Sequence, residues 1–321
     1  MASNKEKGML RIVFMGTPDF AVQGLSRLVE TGYTVVGVIT APDKPAGRGR
    51  KLNESAVKRY AVQMGLKVLQ PTNLKDASFL EELKALKPNL QIVVAFRMLP
   101  KVVWELPEFG TFNLHASLLP QYRGAAPINW AIINGERETG VTTFFIDEKI
   151  DTGEIIQQKK TKIDPGEDAG SLHDRLMHLG ADLILETVGA IESGAVRTKK
   201  QPQSKNLKQA PKIFKEDCKI DWSLPLDRLF NFIRGLSPYP AAWTDFSNGD
   251  ESTTLKIFAV GKEYEQHQHK VGAFVVSKNH LKIAVKDGFL QLLEVQFPGK
   301  RKMEIKELLN GLKVHKDAHV L

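Results

Sequence analysis

The chain has 321 residues, 42% apolar and 26% charged, with 45 Lys+Arg against 37 Asp+Glu and a formal net charge of +8. That is the make-up of a globular protein long enough for two cores, and no run approaches the roughly 20 apolar residues of a membrane span. One cysteine, Cys218, excludes an internal disulfide and most cysteine-based metal sites, and the polar leader Met1 to Gly8 lacks a secretion signal's apolar core, so a cytoplasmic protein is expected.

In chain order, Leu10 to Met15 reads as a buried strand. Thr17 as an N-cap with Pro18 at the first helical position predicts a helix to about Thr31, closed by Gly32. Tyr33 to Thr40 is the next strand, and strand–helix–strand calls for a parallel sheet with a right-handed crossover. The turn between them lacks the glycine spacing of a dinucleotide fingerprint, which argues against NAD. Ala41 to Lys51 (APDKPAGRGRK) has no apolar periodicity and reads as a loop, with Lys44, Arg48, Arg50 and Lys51 suited to gripping phosphates.

Helices are expected over Ser55–Met64 and Asp76–Leu86, and strands near Lys67–Leu69 and over Leu90–Phe96. The stretch Gly110 to Pro127 (GTFNLHASLLPQYRGAAP) begins as a strand and breaks into a loop. Asn113 and His115, two apart, share one strand face, while Phe112 and Leu114 point the other way. One face then offers an amide donor for a developing oxyanion and a proton carrier near neutral pH. Ile128–Asn134 reads as a short helix, with Val141–Asp147 and Glu154–Lys160 as strands. Asp151, in the turn between those strands, is a carboxylate that can reach a histidine at a neighbouring strand end.

Asp168–Ser193 is a long helix, and Gly194–Ala210, rich in Lys, Gln and Pro, reads as a linker. Beyond it come a helix near Pro225–Gly235, the SPYPAAW turn, short alternating strands from Thr253 onward that suggest a small β-barrel, and a closing helix near Met303–Leu309. His267 and His269 have no evident third ligand, so no metal is expected. Residues 1–194 carry 23 Lys+Arg and 23 Asp+Glu, whereas 195–321 carry 22 and 14. The whole positive excess therefore lies C-terminally, as in a domain that faces a polyanion.

Asn113, His115, Ser117-Leu118-Leu119-Pro120, Arg123-Gly124-Ala125-Ala126-Pro127-Ile128 and the Asp151-Thr152-Gly153 turn together resemble the folate-dependent formyltransferases. The resemblance takes in GTPDFA, the PAGRGRK loop, Ile220-Asp221-Trp222 and the C-terminal β region; Ala95-Phe96-Arg97 and Gln121-Tyr122 depart from the family's usual residues. It implies an α/β fold, with a Rossmann-like catalytic domain over 9–193, a linker over 194–210 and a C-terminal, OB-like β-barrel over 211–321. It also implies Asn113, His115 and Asp151 as the catalytic set, and Ser117, Leu118, Leu119 and Pro120 beside the folate. The PAGRG loop and basic C-terminal region point to the tRNA-acting members. The formyl donor would then be 10-formyltetrahydrofolate, without a metal, and the acceptor the α-amine of methionine on initiator tRNA, held by Lys44, Arg48, Arg50 and Lys51. A monomer away from any membrane is expected. The rival readings are formylation of a small amine and a non-catalytic RNA-binding protein.

Overall fold

A computed structural model describes residues 10–46, 51–203 and 206–321. Contacts divide the chain into two units, Met1–Gly124 with Gly140–Thr161 and His173–Lys208, and Ala125–Thr139 with Lys162–Leu172 and Gln209–Leu321.

In the first unit, strands β1 (Arg11–Gly16) and β2 (Thr34–Ile39) flank helix α1 (Asp19–Glu30). Pro18 occupies the N-cap without a side-chain bond, so Thr17 does not cap as expected. Ala41 to Lys51 was expected to form no element. Instead β3 (Lys44–Ala46) and β4 (Lys51–Asn53) pair antiparallel. Strands of three residues are too short to display an alternation in sequence. Helix α2 (Ala56–Gln63) is capped by Ser55 and, beyond β5 (Val68–Leu69), α3 (Ala77–Ala85) by Asp76. β6 (Leu90–Val94), α4 (Lys101–Trp104) and β7 (Thr111–His115) follow. After β8 (Arg123–Gly124) and helix α5 (Pro127–Ile133) come β9 (Glu138–Phe145), β10 (Ile155–Lys162) and α6 (Ala169–Glu192).

The sheet runs β10-β9-β7-β6-β1-β2-β5. It is parallel from β5 to β7, and β9 then joins β7 antiparallel. Phe14 and Phe112 are fully buried and Phe144 nearly so, each contributing about 1.5–3 kcal/mol of apolar burial. A Cβ on Gly180 of α6 would lie 2.6 Å from Leu114 Cδ2, so a glycine is what lets the helix backbone seat on β7.

The second unit contains β11 (Gln209–Ala210), a 3₁₀ turn at Glu216–Cys218 and α7 (Leu226–Leu236). Its antiparallel strands are β12 (Ala242–Asn248), β13 (Glu251–Glu263), β14 (Phe274–Val276), β15 (Leu281–Val285), β16 (Gly288–Gln296), β17 (Met303–Glu304) and, after α8 (Ile305–Leu309), β18 (His319–Val320). They run β14-β15-β16-β13-β12-β18, with β17 on β16. An Ala273–His319 bridge and the Val320 N–H donating to Gly272 O (3.0 Å) draw the two ends together, giving the expected barrel-like sheet.

β12 follows the SPYPAAW turn and was not foreseen as a strand. Its inward positions are Ala242, Thr244 and Phe246, whereas Trp243 faces outward, so polarity does not alternate in the usual sense. Thr244 is tolerated inside because its hydroxyl accepts from Trp222 Nε1 (2.9 Å) and donates to Leu321 O (3.0 Å).

The contacts do not divide the chain at one linker, as expected from 9–193, 194–210 and 211–321. α5 belongs to the second unit, where Asn129 Nδ2 donates to Gly235 O (2.8 Å) and Trp130 Nε1 to Pro211 O (2.9 Å). Residues 162–172 also do, with Arg234 Nη1 donating to Glu167 O (2.6 Å). His173–Lys208, beyond the expected boundary at 193, belongs to the first unit; Lys199 exchanges both backbone hydrogen bonds with Ile155 of β10.

Candidate active site

β7 lies between a parallel and an antiparallel neighbour, with Asn113 opposite Val93 and Phe144, and His115 opposite Thr142. Phe112 and Leu114 are buried on the opposite face, as the alternation requires. Asn113 is half-buried, and its Oδ1 is shielded from solvent with no hydrogen-bond partner. An unpaired buried acceptor costs about 1–3 kcal/mol, which is tolerable in a group built to meet a ligand.

His115 is 6% exposed. Its Nε2 lies 2.8 Å from the carbonyl oxygen of Tyr122. A carbonyl only accepts, so Nε2 carries a proton and Nδ1 is the basic nitrogen. Nδ1 is 3.8 Å from Asp151 Oδ2, too long for a hydrogen bond and an ion-pair distance once the ring is protonated. Asp151 does not orient the ring through a direct bond. The Tyr122 carbonyl does, and that residue's φ of +60° helps turn the chain there.

Asp151 itself has φ +55°, a left-handed conformation that Asp tolerates better than most residues. Its Oδ2 accepts the Gly124 N–H at 2.9 Å. Gly153 closes the turn against Phe145, where a Cβ would come within 1.6 Å of the Phe145 carbonyl oxygen. The three expected catalytic residues thus converge: the strand supplies two, and a turn 36 residues downstream supplies the third.

The Ser117–Pro120 segment is braced from behind. Ser117 is fully buried and its hydroxyl donates to Gln121 O (2.7 Å), while Leu119 packs with Phe144 and Ile155. Thr142 Oγ1 donates to Ser117 O (2.6 Å) and Gln158 Nε2 to Leu119 O (2.9 Å). Leu118 and Pro120 keep part of their surface exposed.

Of the expected phosphate-gripping residues, Lys44 is exposed at the start of β3. Lys51 begins β4, and Arg48 and Arg50 lie outside the described residues. The entry to β3 is tied down by Asp43, whose carboxylate meets Lys58 Nζ and accepts from Gln70 Nε2 (2.8 Å). The bond from Lys58 holds the Asp43 carboxyl below its ordinary range and the Lys58 ammonium above its own.

The second unit has a cavity of about 750 Å³ lined by Lys212, Lys215, Lys256, Tyr239, Trp243 and Phe297, among others. None of those three lysines is ion-paired among the described residues, and Tyr239 is 83% exposed. Cations beside exposed aromatic faces suit a nucleic-acid strand. Among the described residues no group of three His, Cys, Asp or Glu could hold a metal ion, and no helix is long and apolar enough to cross a membrane.

Sequence reasoning missed Tyr122, Gly124 and Gln201, which act on the site through backbone groups or from a segment without periodicity. Gln201 Nε2 donates to the carbonyls of Asp151 (2.9 Å) and Gly153 (2.8 Å).

With an amide and a histidine on one strand face, a carboxylate beside the imidazole and a barrel-like second unit, the chain belongs to the formyl transferase family. The family's sequence model matches residues 10–188, and that of its C-terminal domain matches residues 212–313. Among individual proteins, the chain is similar to the methionyl-tRNA formyltransferase of Flavobacterium johnsoniae, 58% identical over 97% of this chain and 99% of that protein. The methionyl-tRNA formyltransferase of Bacteroides thetaiotaomicron is 55% identical over 96% and 98%. Among solved structures, WlaRD, a sugar 3N-formyl transferase crystallised with dTDP and 5-N-formyl-THF, shares the fold at 22% identity and TM-score 0.63, over 91% of this chain and 99% of that one. HypX of Aquifex aeolicus in complex with tetrahydrofolic acid has TM-score 0.64 at 18% identity, over 95% and 48%.

Proposed function

We propose that the protein transfers the formyl group of 10-formyltetrahydrofolate to the α-amine of methionine esterified to initiator tRNA. The observation that carries this reading is the His115 arrangement, with Nε2 committed to a carbonyl and basic Nδ1 facing Asp151, on the same strand face as an Asn113 amide whose oxygen has no protein partner. Near-full-length similarity to methionyl-tRNA formyltransferases supports the choice of acceptor.

An amine can attack a formyl carbon directly, so no enzyme nucleophile is required. Asn113 Nδ2 donates to the oxygen that gains charge as the new C–N bond forms, and Oδ1 is placed to accept an N–H of the attacking amine. His115 Nδ1 takes the proton the amine sheds and returns it to the departing nitrogen as the old C–N bond breaks. Asp151 stabilises the ring while it is charged. Leu118 and Pro120 border the donor, with Ser117 and Leu119 behind them as internal supports.

Lys44, Arg48, Arg50 and Lys51 are proposed to hold the tRNA's phosphates, together with the cationic cavity of the second unit. Neutralising the four loop cations should raise the KM for methionyl-tRNA and leave the KM for the formyl donor unchanged. Each neutralised phosphate contact should also lower the slope of log binding constant against log salt by about 1. Titrations of tRNA binding from 50 to 200 mM salt check this, and an unchanged slope would remove the loop from the tRNA site.

A further inference from the structure

We propose that Gln201 is a positioning residue for formyl transfer, fixing the distance between Asp151 and His115 by tying the Asp151-Thr152-Gly153 turn to Arg123. This rests on the catalytic roles given above to His115 and Asp151. The amide uses all four of its hydrogen-bonding positions. Nε2 donates to Asp151 O (2.9 Å) and Gly153 O (2.8 Å), and Oε1 accepts from Arg123 Nη2 (2.6 Å) and Nε (3.2 Å).

These bonds close a ring beside the imidazole. Asp151 Oδ2 holds the Gly124 N–H, Arg123 precedes Gly124, and Gln201 joins Arg123 back to the Asp151 carbonyl. Tyr122, next to Arg123, supplies the carbonyl that accepts from His115 Nε2. Beside the Asp151–Gly124 bond, one amide therefore joins the two segments that face the two ring nitrogens. Such support bears on Asp151, because even a residue that tolerates φ +55° better than most is held there at a cost its surroundings offset. The support is itself anchored, since Lys199 pairs with Ile155 through two backbone bonds of 2.8 and 2.9 Å.

The pairing of two donors with an acceptor explains why glutamine stands here. Gln201→Glu keeps an acceptor for Arg123 and turns both donors into acceptors facing carbonyl oxygens. Gln201→Ala removes the bridge altogether. Displacing a catalytic group by about 1 Å can cost about 10²-fold, so kcat should fall up to about 10²-fold in either variant while both KM values stay within twofold.

The test is single-turnover formylation of methionyl-tRNA by Gln201→Ala, Gln201→Glu, Asp151→Ala and the Gln201→Ala/Asp151→Ala double variant, with melting temperatures recorded. The expected result is a kcat loss in both Gln201 variants, an unchanged melting temperature in at least one, and no further loss when Gln201→Ala is added to Asp151→Ala. Unchanged kcat in the Gln201 variants overturns the proposal. So does a loss that adds fully to that of Asp151→Ala, or one explained by unfolding in both single variants. A fully active Asp151→Ala variant would instead overturn the catalytic reading beneath it.

Discussion

Asn113→Ala should lower the rate of formyl transfer by about 10²–10³-fold, in a chain that melts no lower than wild type. The first half follows from removing the one side-chain amide on the reactive face of β7. The second half follows from its oxygen, which is buried without a partner and so stabilises nothing in the free protein. Removing an unsatisfied acceptor relieves up to about 1–3 kcal/mol, which offsets the packing lost with the side chain. Single-turnover kinetics beside a thermal melt check both halves. A variant that lost activity and stability together would show Asn113 to be a structural residue.

Gly153→Ala should be the most damaging single-methyl change near the site, costing about 3 kcal/mol of stability or more, with loss of transfer activity. The added carbon would meet the Phe145 carbonyl oxygen at 1.6 Å and its carbon at 2.8 Å. Both are backbone atoms of β9, so no rotamer change relieves the clash and the turn must move, carrying Asp151 with it. Gly189→Ala is the control. It also adds one methyl to the chain, within α6 and with nothing inside 4 Å, and should stabilise by about 0.5–1 kcal/mol. Denaturant melts of the two variants should therefore move in opposite directions.

The site's near half was legible from sequence. Period-two alternation put Asn113 and His115 on one face because Phe112 and Leu114 had to be buried on the other. The distance from His115 to Asp151 was not, since no spacing rule connects a strand to a turn 36 residues away; a carboxylate in such a turn can reach a strand-end histidine, and family resemblance joined it to this one. The ring's actual partner, the Tyr122 carbonyl, is a backbone group that any residue would offer, so the side chain there reveals nothing. Gln201 stood in a Lys-, Gln- and Pro-rich segment whose order comes from pairing with β10 rather than from periodicity of its own. The barrel-like sheet was evident from its alternating strands, yet β12 escaped because Thr244 points inward and Trp243 outward.

The most direct test of the account is the initial rate of N-formylmethionyl-tRNA formation from 10-formyltetrahydrofolate, for wild type and His115→Ala, beside an amino-sugar nucleotide as rival acceptor. The expected result is formylated initiator tRNA from the wild type, near-complete loss in His115→Ala, and no product from the sugar. Formylation of the sugar with the tRNA untouched, or full activity in His115→Ala, would contradict it.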